Sequence, residues 1–128
     1  MARPQRRRRL DQELQQAVLT AAEQTGRWLD GRFTEEISAV KWEYPTPPKI
    51  RDIVDTGRLR ASQTRSVDAE GETTFTWPVE YAQQVHDGGV STRTRRPFPG
   101  RPWTRQPLEE VPEQFNRLLD AQLRRLGQ

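Results

Sequence analysis

His86 is the single histidine of this 128-residue chain, and Asp87 follows it directly. A carboxylate beside an imidazole can fix the ring's tautomer and orientation, which is the beginning of a general-base or a metal-ligand arrangement. Either would need more: a nucleophile for the first, additional imidazole or thiolate ligands for the second. The chain has no cysteine and no second histidine, so disulfides, thiolate chemistry and a multi-histidine zinc site are excluded within one copy. Ser38, Ser62, Ser66 and Ser91 lie in no nucleophile-elbow context. Asp55-Thr56-Gly57 matches the triplet of aspartic proteases, but it sits in RDIVDTGRLRAS, charged where a buried carboxylate dyad needs apolar strands. A turn between two elements is the simpler reading, and no Walker or dinucleotide-type glycine loop occurs. The expectation is a protein that is not an enzyme and uses no metal or cofactor. His86 is then a surface residue at a helix end, where the helix dipole favours it.

The residues that remain with something to do are arginines. TRTRRPFPGRPWTR, from Thr92 to Arg105, holds five arginines and two large aromatics with no acidic residue. Against phosphate the arginines would bind nucleic acid, with Phe98 and Trp103 free to stack on bases. Against protein, Pro97, Pro99, Pro102 and Pro107 stiffen the segment, and Phe98, Trp103 and the arginines are favoured interface anchors. A second basic stretch, Met1 to Leu10, contains Arg6, Arg7, Arg8 and Arg9 and again no acid. These two stretches take ten basic residues, leaving eleven among all 18 acidic ones, so an acidic body carries two basic appendages. A dedicated nucleic-acid binder normally presents one contiguous basic face, which favours docking on protein.

The elements that must position these residues follow from periodicity. Leu10, Leu14, Ala17, Val18, Ala21, Ala22, Trp28, Leu29 and Phe33 recur mostly three and four residues apart, which predicts an amphipathic helix from Leu10 to about Phe33, roughly 35 Å long. Gly26 and Gly31 are candidate bends or ends. Val40, Trp42 and Tyr44 alternate as in a short strand over Ser38 to Tyr44, Pro45, Pro47 and Pro48 end it, and Lys49 to Val54 has room for a helical turn or two. Leu59 to Val67 and Glu72 to Val79 are strand-like, joined by the hairpin connection Asp68-Ala69-Glu70-Gly71, and Phe75, Trp77 and Val79 share the face that should meet the long helix. Glu80 to His86 reads as a short helix closed by Gly88-Gly89, and Val111 to Leu126 as a second amphipathic helix.

The predicted fold class is α+β: a long N-terminal amphipathic helix and a C-terminal helix packed on a small antiparallel sheet with a β-hairpin. Residues 1–9 are expected to form a basic flexible arm, and residues 10–128 one α+β domain with a Pro/Arg-rich docking loop at 88–108. With 32% hydrophobic and 30% charged residues, one copy has little apolar surface to bury, so neighbouring subunits are expected to contribute to stability. No stretch approaches the roughly 18 consecutive apolar residues of a bilayer span, so a soluble protein without membrane contact is expected.

Three motifs in order, DTGRLRAS (Asp55 to Ser62), PVEYAQQVHDGG (Pro78 to Gly89) and PGRPWTRQPLEE (Pro99 to Glu110), resemble the small tail-component proteins of tailed bacteriophages, the neck or tail-completion family of the head–tail junction. With the helices before and after them, the similarity covers nearly the whole chain. In that family a T-G-x-L segment leads into the first hairpin strand, a Y-A-x-x-V segment follows the second, and an R-P-aromatic segment precedes the last helix. The matching positions are Thr56, Gly57 and Leu59, then Tyr81, Ala82 and Val85, then Arg101, Pro102 and Trp103. Where the family commonly has Glu and one Gly after Y-A-x-x-V, this chain has His86-Asp87-Gly88-Gly89.

The resemblance implies a virion structural protein, made in the host cytoplasm, that forms a sixfold or twelvefold homo-oligomeric ring around the DNA passage. Its partners would be the portal-side connector and the tail proteins. Arg95, Arg96, Phe98, Arg101, Pro102, Trp103 and Arg105 are the expected subunit or partner contacts, and Arg6 to Arg9 are candidate contacts to packaged DNA. The alternative, from a different class, is a sequence-independent DNA-binding protein that uses both basic stretches against phosphate.

Overall fold

The structure, a computed structural model, describes residues 4–39, 57–90, 95 and 97–127, without the side chains of residues 4–7 and Phe98. The strand expected over Ser38 to Tyr44 lies mostly outside the described residues, and the helical turns expected over Lys49 to Val54 lie wholly outside them.

Helix α1 spans Pro4–Ile37, 34 residues, so at 1.5 Å per residue it is about 51 Å long. It runs through Gly26 and Gly31 without ending, and at the other side it continues back through the arginine run that was expected to be a flexible arm. Local chemistry permits both: arginine is a good helix former, and Pro4 opens the helix where a missing N–H costs nothing. Ala17, Ala21, Thr25, Leu29, Phe33 and Ile37 recur every fourth residue and are all buried. A fourth-residue stripe drifts by about 40° per step around the helix, so its two ends face different neighbours. The late members, Leu29, Phe33 and Ile37, join Leu59 and Trp103 in the core.

Residues 57–62 are helical and form α2, where a strand from Leu59 onward was expected. Arg58, Leu59, Arg60 and Ala61 all favour helix, and one helical turn places Leu59 in the core at 1% exposure. The turn is closed by the Ser62 hydroxyl donating to Leu59 O at 2.7 Å and by Gln63 N–H to Arg60 O at 3.2 Å. The hairpin is therefore shorter than predicted: β1 is Thr64–Val67 and β2 is Thr73–Thr76, antiparallel, with Arg65 opposite Phe75. Its turn is held by Asp68 Oδ1, which accepts from Glu70 N–H and Glu72 N–H, each at 2.9 Å. Gly71 completes it at φ +88°, a conformation that disfavours any side chain.

Helix α3 is Ala82–Asp87, followed by a second short ladder in which β3 (Gly89–Val90) pairs antiparallel with β4 (Pro97–Phe98). Helix α4 is Arg105–Leu126 and starts six residues earlier than the apolar pattern indicated. Pro107 falls in its first turn, where N–H groups have no intrahelical partner, while Pro112 costs one interior hydrogen bond. The molecule is thus a mixed α+β protein, mostly helical, with α4 packed along α1 and the hairpin on α1's inner half.

Phe33 is the centre of the core. It meets Phe75 edge-on at 5.0 Å and Trp77 at 5.2 Å, and Trp77 in turn meets Trp103 at 5.4 Å. The apolar face predicted for the second strand does pack on the long helix. Gln63 ties the same surfaces together: its Nε2 donates to Asp30 O and Oδ1, and its Oε1 accepts from Trp77 Nε1 at 3.1 Å.

Candidate functional site

The family-like motifs converge in space. Leu59 and Trp103 are core residues, while Tyr81, Ala82 and Val85 pack against the same cluster. Gly57 is half-buried at the start of α2, and Thr56 lies outside the described residues. Arg58 stacks over the Tyr81 ring at 5.5 Å, linking the first motif to the second. The third motif joins through Arg101, whose N–H donates to Val85 O at 2.6 Å.

The docking loop needs correction on this geometry. Trp103 is 2% exposed and Arg101 5%, so both are used inside their own chain and are unavailable as anchors for a partner. The physical reason lies at the C-terminus of α1, whose last turn contains no basic residue. Arg101 supplies the missing cation from 64 residues away, Nη1 donating to Ile37 O at 3.0 Å, where it satisfies a terminal carbonyl and the negative end of the helix dipole. Trp103 then fills the space between Trp77 and His86. Of the other expected interface residues, Arg95 and Arg105 are exposed and Pro102 is half-buried; Arg96 and the Phe98 side chain lie outside the described residues. Arg95 has a left-handed φ of +58°, unusual for a residue with a side chain.

His86 is also more engaged than a surface histidine would be. Its Nδ1 lies 2.6 Å from Asp87 Oδ1, its Nε2 lies 2.7 Å from Thr104 Oγ1, and its ring meets Trp103 edge-on at 4.7 Å. In the tautomer protonated at Nδ1, the carboxylate accepts from the ring and Nε2 accepts the threonine hydroxyl proton, the order of an acid–base–nucleophile relay. Two observations favour a tether instead. Thr104 stands at the N-cap position of α4 yet makes no side-chain capping bond, because its hydroxyl is held by His86. The same bond fastens the end of α3 to the start of α4. The two partners are 18 residues apart, and nothing in the sequence marks Thr104.

Between α1 and α4 runs a groove of about 270 Å³ lined by Trp28, Arg32, Glu110, Glu113, Gln114 and Arg117. Arg32 is its hub, donating to Glu110 at 2.8 Å and to Glu35 and Glu36 at 3.2 Å each. Burial alone would lower its pKa, but the bonds from Glu110, Glu36 and Glu35 and the Glu110 charge outweigh that and raise it. Arg32 is thus a fixed cation that locks the two helices together, and sequence reasoning had no reason to choose it. Among the described residues no group of three or more acidic or histidine side chains could hold a metal ion, and no helix is long and apolar enough to cross a membrane.

The surface contributes the remaining candidates. Leu10, Leu14, Val18 and Leu19 on α1 and Leu108, Leu123 and Leu126 on α4 are between 39% and 51% exposed. Arg8 and Arg9 are exposed on the same end of α1, Arg9 lying 3.4 Å from Glu13. No family model, curated protein or solved structure matches the chain.

Proposed function

We propose that this chain is a structural protein of the bacteriophage head–tail junction, a neck or tail-completion subunit that assembles as a ring around the DNA passage. One observation carries the reading: a single copy leaves seven large aliphatic side chains 39–51% exposed along the outer parts of α1 and α4. Exposed aliphatic side chains on helices whose inner faces are already packed support a protein completed by neighbours. The three motifs similar to those of tail-component proteins supply the location, and their residues serve the core that presents these helices. The engaged His86 and the fully committed Arg32 fit a scaffold rather than a reaction centre.

The test is assembly. The purified protein, mixed with connector-bearing capsids and separately with tails of its own phage, should sediment with one or both and raise the yield of joined particles. Light scattering should show a defined ring, alone or on addition of the connector. A persistent monomer that associates with neither structure would reject the proposal. The exposed Arg8 and Arg9 favour one secondary role, contact with the enclosed DNA, which a steep loss of DNA retention with added salt would reveal.

A further inference from the structure

The arginines of this protein divide into two groups. Arg9, Arg27, Arg117 and Arg124, on the long helices, each have a carboxylate four residues away at 2.7–3.7 Å. Arg32 is matched to Glu110 and Arg65 to Asp30. Arg58, Arg60 and Arg105 are exposed, and none of them has a carboxylate partner among the described residues. An arginine beside its own acid offers little net field to an outside anion, whereas an unmatched one offers its full charge.

The unmatched three come from separate segments and meet at the C-terminal end of α1. Arg58 and Arg60 flank Leu59 on α2, Arg105 stands two residues after Trp103, and Leu59 and Trp103 belong to one core cluster. Arg60 Nη1 donates to Ser38 Oγ at 2.8 Å, which ties it to the end of α1. Arg58 stacks over Tyr81, the N-cap of α3, at 5.5 Å. Arg105 adjoins Thr104, whose hydroxyl is bonded to His86 near the other end of α3. About 8 Å of helix axis separates residues 81 and 86, so the anchorages of Arg58 and Arg105 are near neighbours. Two of the three are also positioned in advance. The aromatic face under Arg58 and the hydroxyl bonded to Arg60 reduce the ordering that an incoming anion must impose. A guanidinium has five N–H donors, and Arg60 spends one of them on Ser38.

The rest of the surface selects the class of anion. Ser38, Gln83 and Gln84 are exposed in the same elements, neutral polar side chains of the kinds that join arginine in binding phosphate and sugar. A protein interface instead centres on desolvated apolar side chains. The exposed Leu10, Leu14, Val18, Leu123 and Leu126 lie towards the opposite end of the helix pair, while Leu108 and Val90 are the large aliphatics towards this one. Glu80 and Glu109 are exposed carboxylates at the border, and Asp87 is engaged by His86.

We infer that Arg58, Arg60 and Arg105, at the C-terminal end of α1, form a surface that binds the phosphate backbone of DNA without reading its sequence. It lies at the other end of the molecule from Arg8 and Arg9, and it does not depend on the head–tail reading.

The test is binding to a random-sequence duplex of about 30 base pairs across a salt series, where each neutralised phosphate contributes about 0.9 to the slope of log K against log salt. The variant Arg58→Gln, Arg60→Gln, Arg105→Gln should keep the wild-type circular dichroism, lose at least tenfold in affinity and give a slope shallower by up to about 2.7. The lysine version of the same three changes keeps the charges and should keep most of the slope. Glu80→Gln with Glu109→Gln removes the bordering repulsion and should tighten binding severalfold. An unchanged slope in the glutamine variant overturns the inference, as does a wild-type protein with no salt-dependent binding. It is also overturned if Arg8→Gln with Arg9→Gln removes the whole salt dependence. Tighter binding to polyglutamate than to the duplex would make the surface a seat for an acidic protein, and the inference fails. DNA binding through these arginines by a protein that joins neither capsids nor tails would reject the head–tail reading and leave this surface standing.

Discussion

Adding a single methyl group at Gly100 separates two physical effects of opposite sign. Its φ is not in the left-handed region, so the backbone there does not require glycine, and conformational entropy alone predicts that alanine stabilises the protein by about 0.4–1 kcal/mol. The space says otherwise. A Cβ at Gly100 would stand 2.6 Å from the Asp87 carbonyl carbon, 2.6 Å from the His86 carbonyl oxygen and 2.7 Å from Gly88 N. All three are backbone atoms and cannot swing aside, so the two segments must separate by roughly 0.8 Å to reach ordinary contact. That displacement lengthens the 2.6 Å bond from Arg101 N–H to Val85 O and lifts Trp103 from its seat beside His86. Steric strain and a weakened buried hydrogen bond together put the cost of Gly100→Ala at about 2–4 kcal/mol, with a fall in Tm on the order of 10 °C. Gly31→Ala is the matched control: nothing lies within 4 Å of its Cβ position in α1, so the same change should stabilise by about 0.5–1 kcal/mol. Urea midpoints at one fixed protein concentration measure both. If Gly100→Ala unfolds within 0.5 kcal/mol of wild type, or later, the close approach is not a constraint and the reasoning fails.

Three other substitutions probe how the elements are held. Trp103→Ala should cost about 3–5 kcal/mol by cavity formation, whereas Trp103→Phe should cost about 1–2, because the indole N–H finds no acceptor among the described residues; equal losses in thermal melts would contradict this. Arg32→Met removes the bonds to Glu110 and to the buried Glu36 carboxylate, so a loss of roughly 2–3 kcal/mol is expected, and Arg32→Lys should recover only part of it because an ammonium cannot reproduce the planar fork. Gln63→Leu should cost about 1–3 kcal/mol and speed hydrogen exchange in the hairpin ahead of the helices, since Gln63 bonds both Asp30 on α1 and Trp77; exchange unchanged in β1 and β2 would show that the hairpin is held by its aromatics alone.

Much of the fold was legible because its signals are local. The apolar spacing that marks α1 needs only the chain, as does the Asp68-to-Gly71 turn, whose Asx bonds form within four residues. The face of Phe75, Trp77 and Val79 followed from strand alternation. Reading failed where local preference is nearly balanced. Residues 57–62 could serve as strand or helix, and burial of Leu59 against α1 and Trp103 decided for helix. The early start of α4 was obscured by Pro107, which is tolerated in a first turn but resembles a breaker in a linear scan.

The docking loop shows the same division in the candidate site. Its composition suggested an exposed basic segment with two aromatic anchors, and Arg95 and Arg105 are exposed. Arg101 and Trp103 are buried because the end of α1 needs a cation and the gap between Trp77 and His86 needs an aromatic ring. Neither need is written near residue 101. The sequence by itself determined the periodic helices, the hairpin turn, the absence of thiol chemistry and the uneven placement of charge, all properties of neighbours along the chain. Only the tertiary structure decided which arginine caps α1, which threonine holds His86, and how far α1 outruns α4, because each depends on distances between segments that the chain order leaves free.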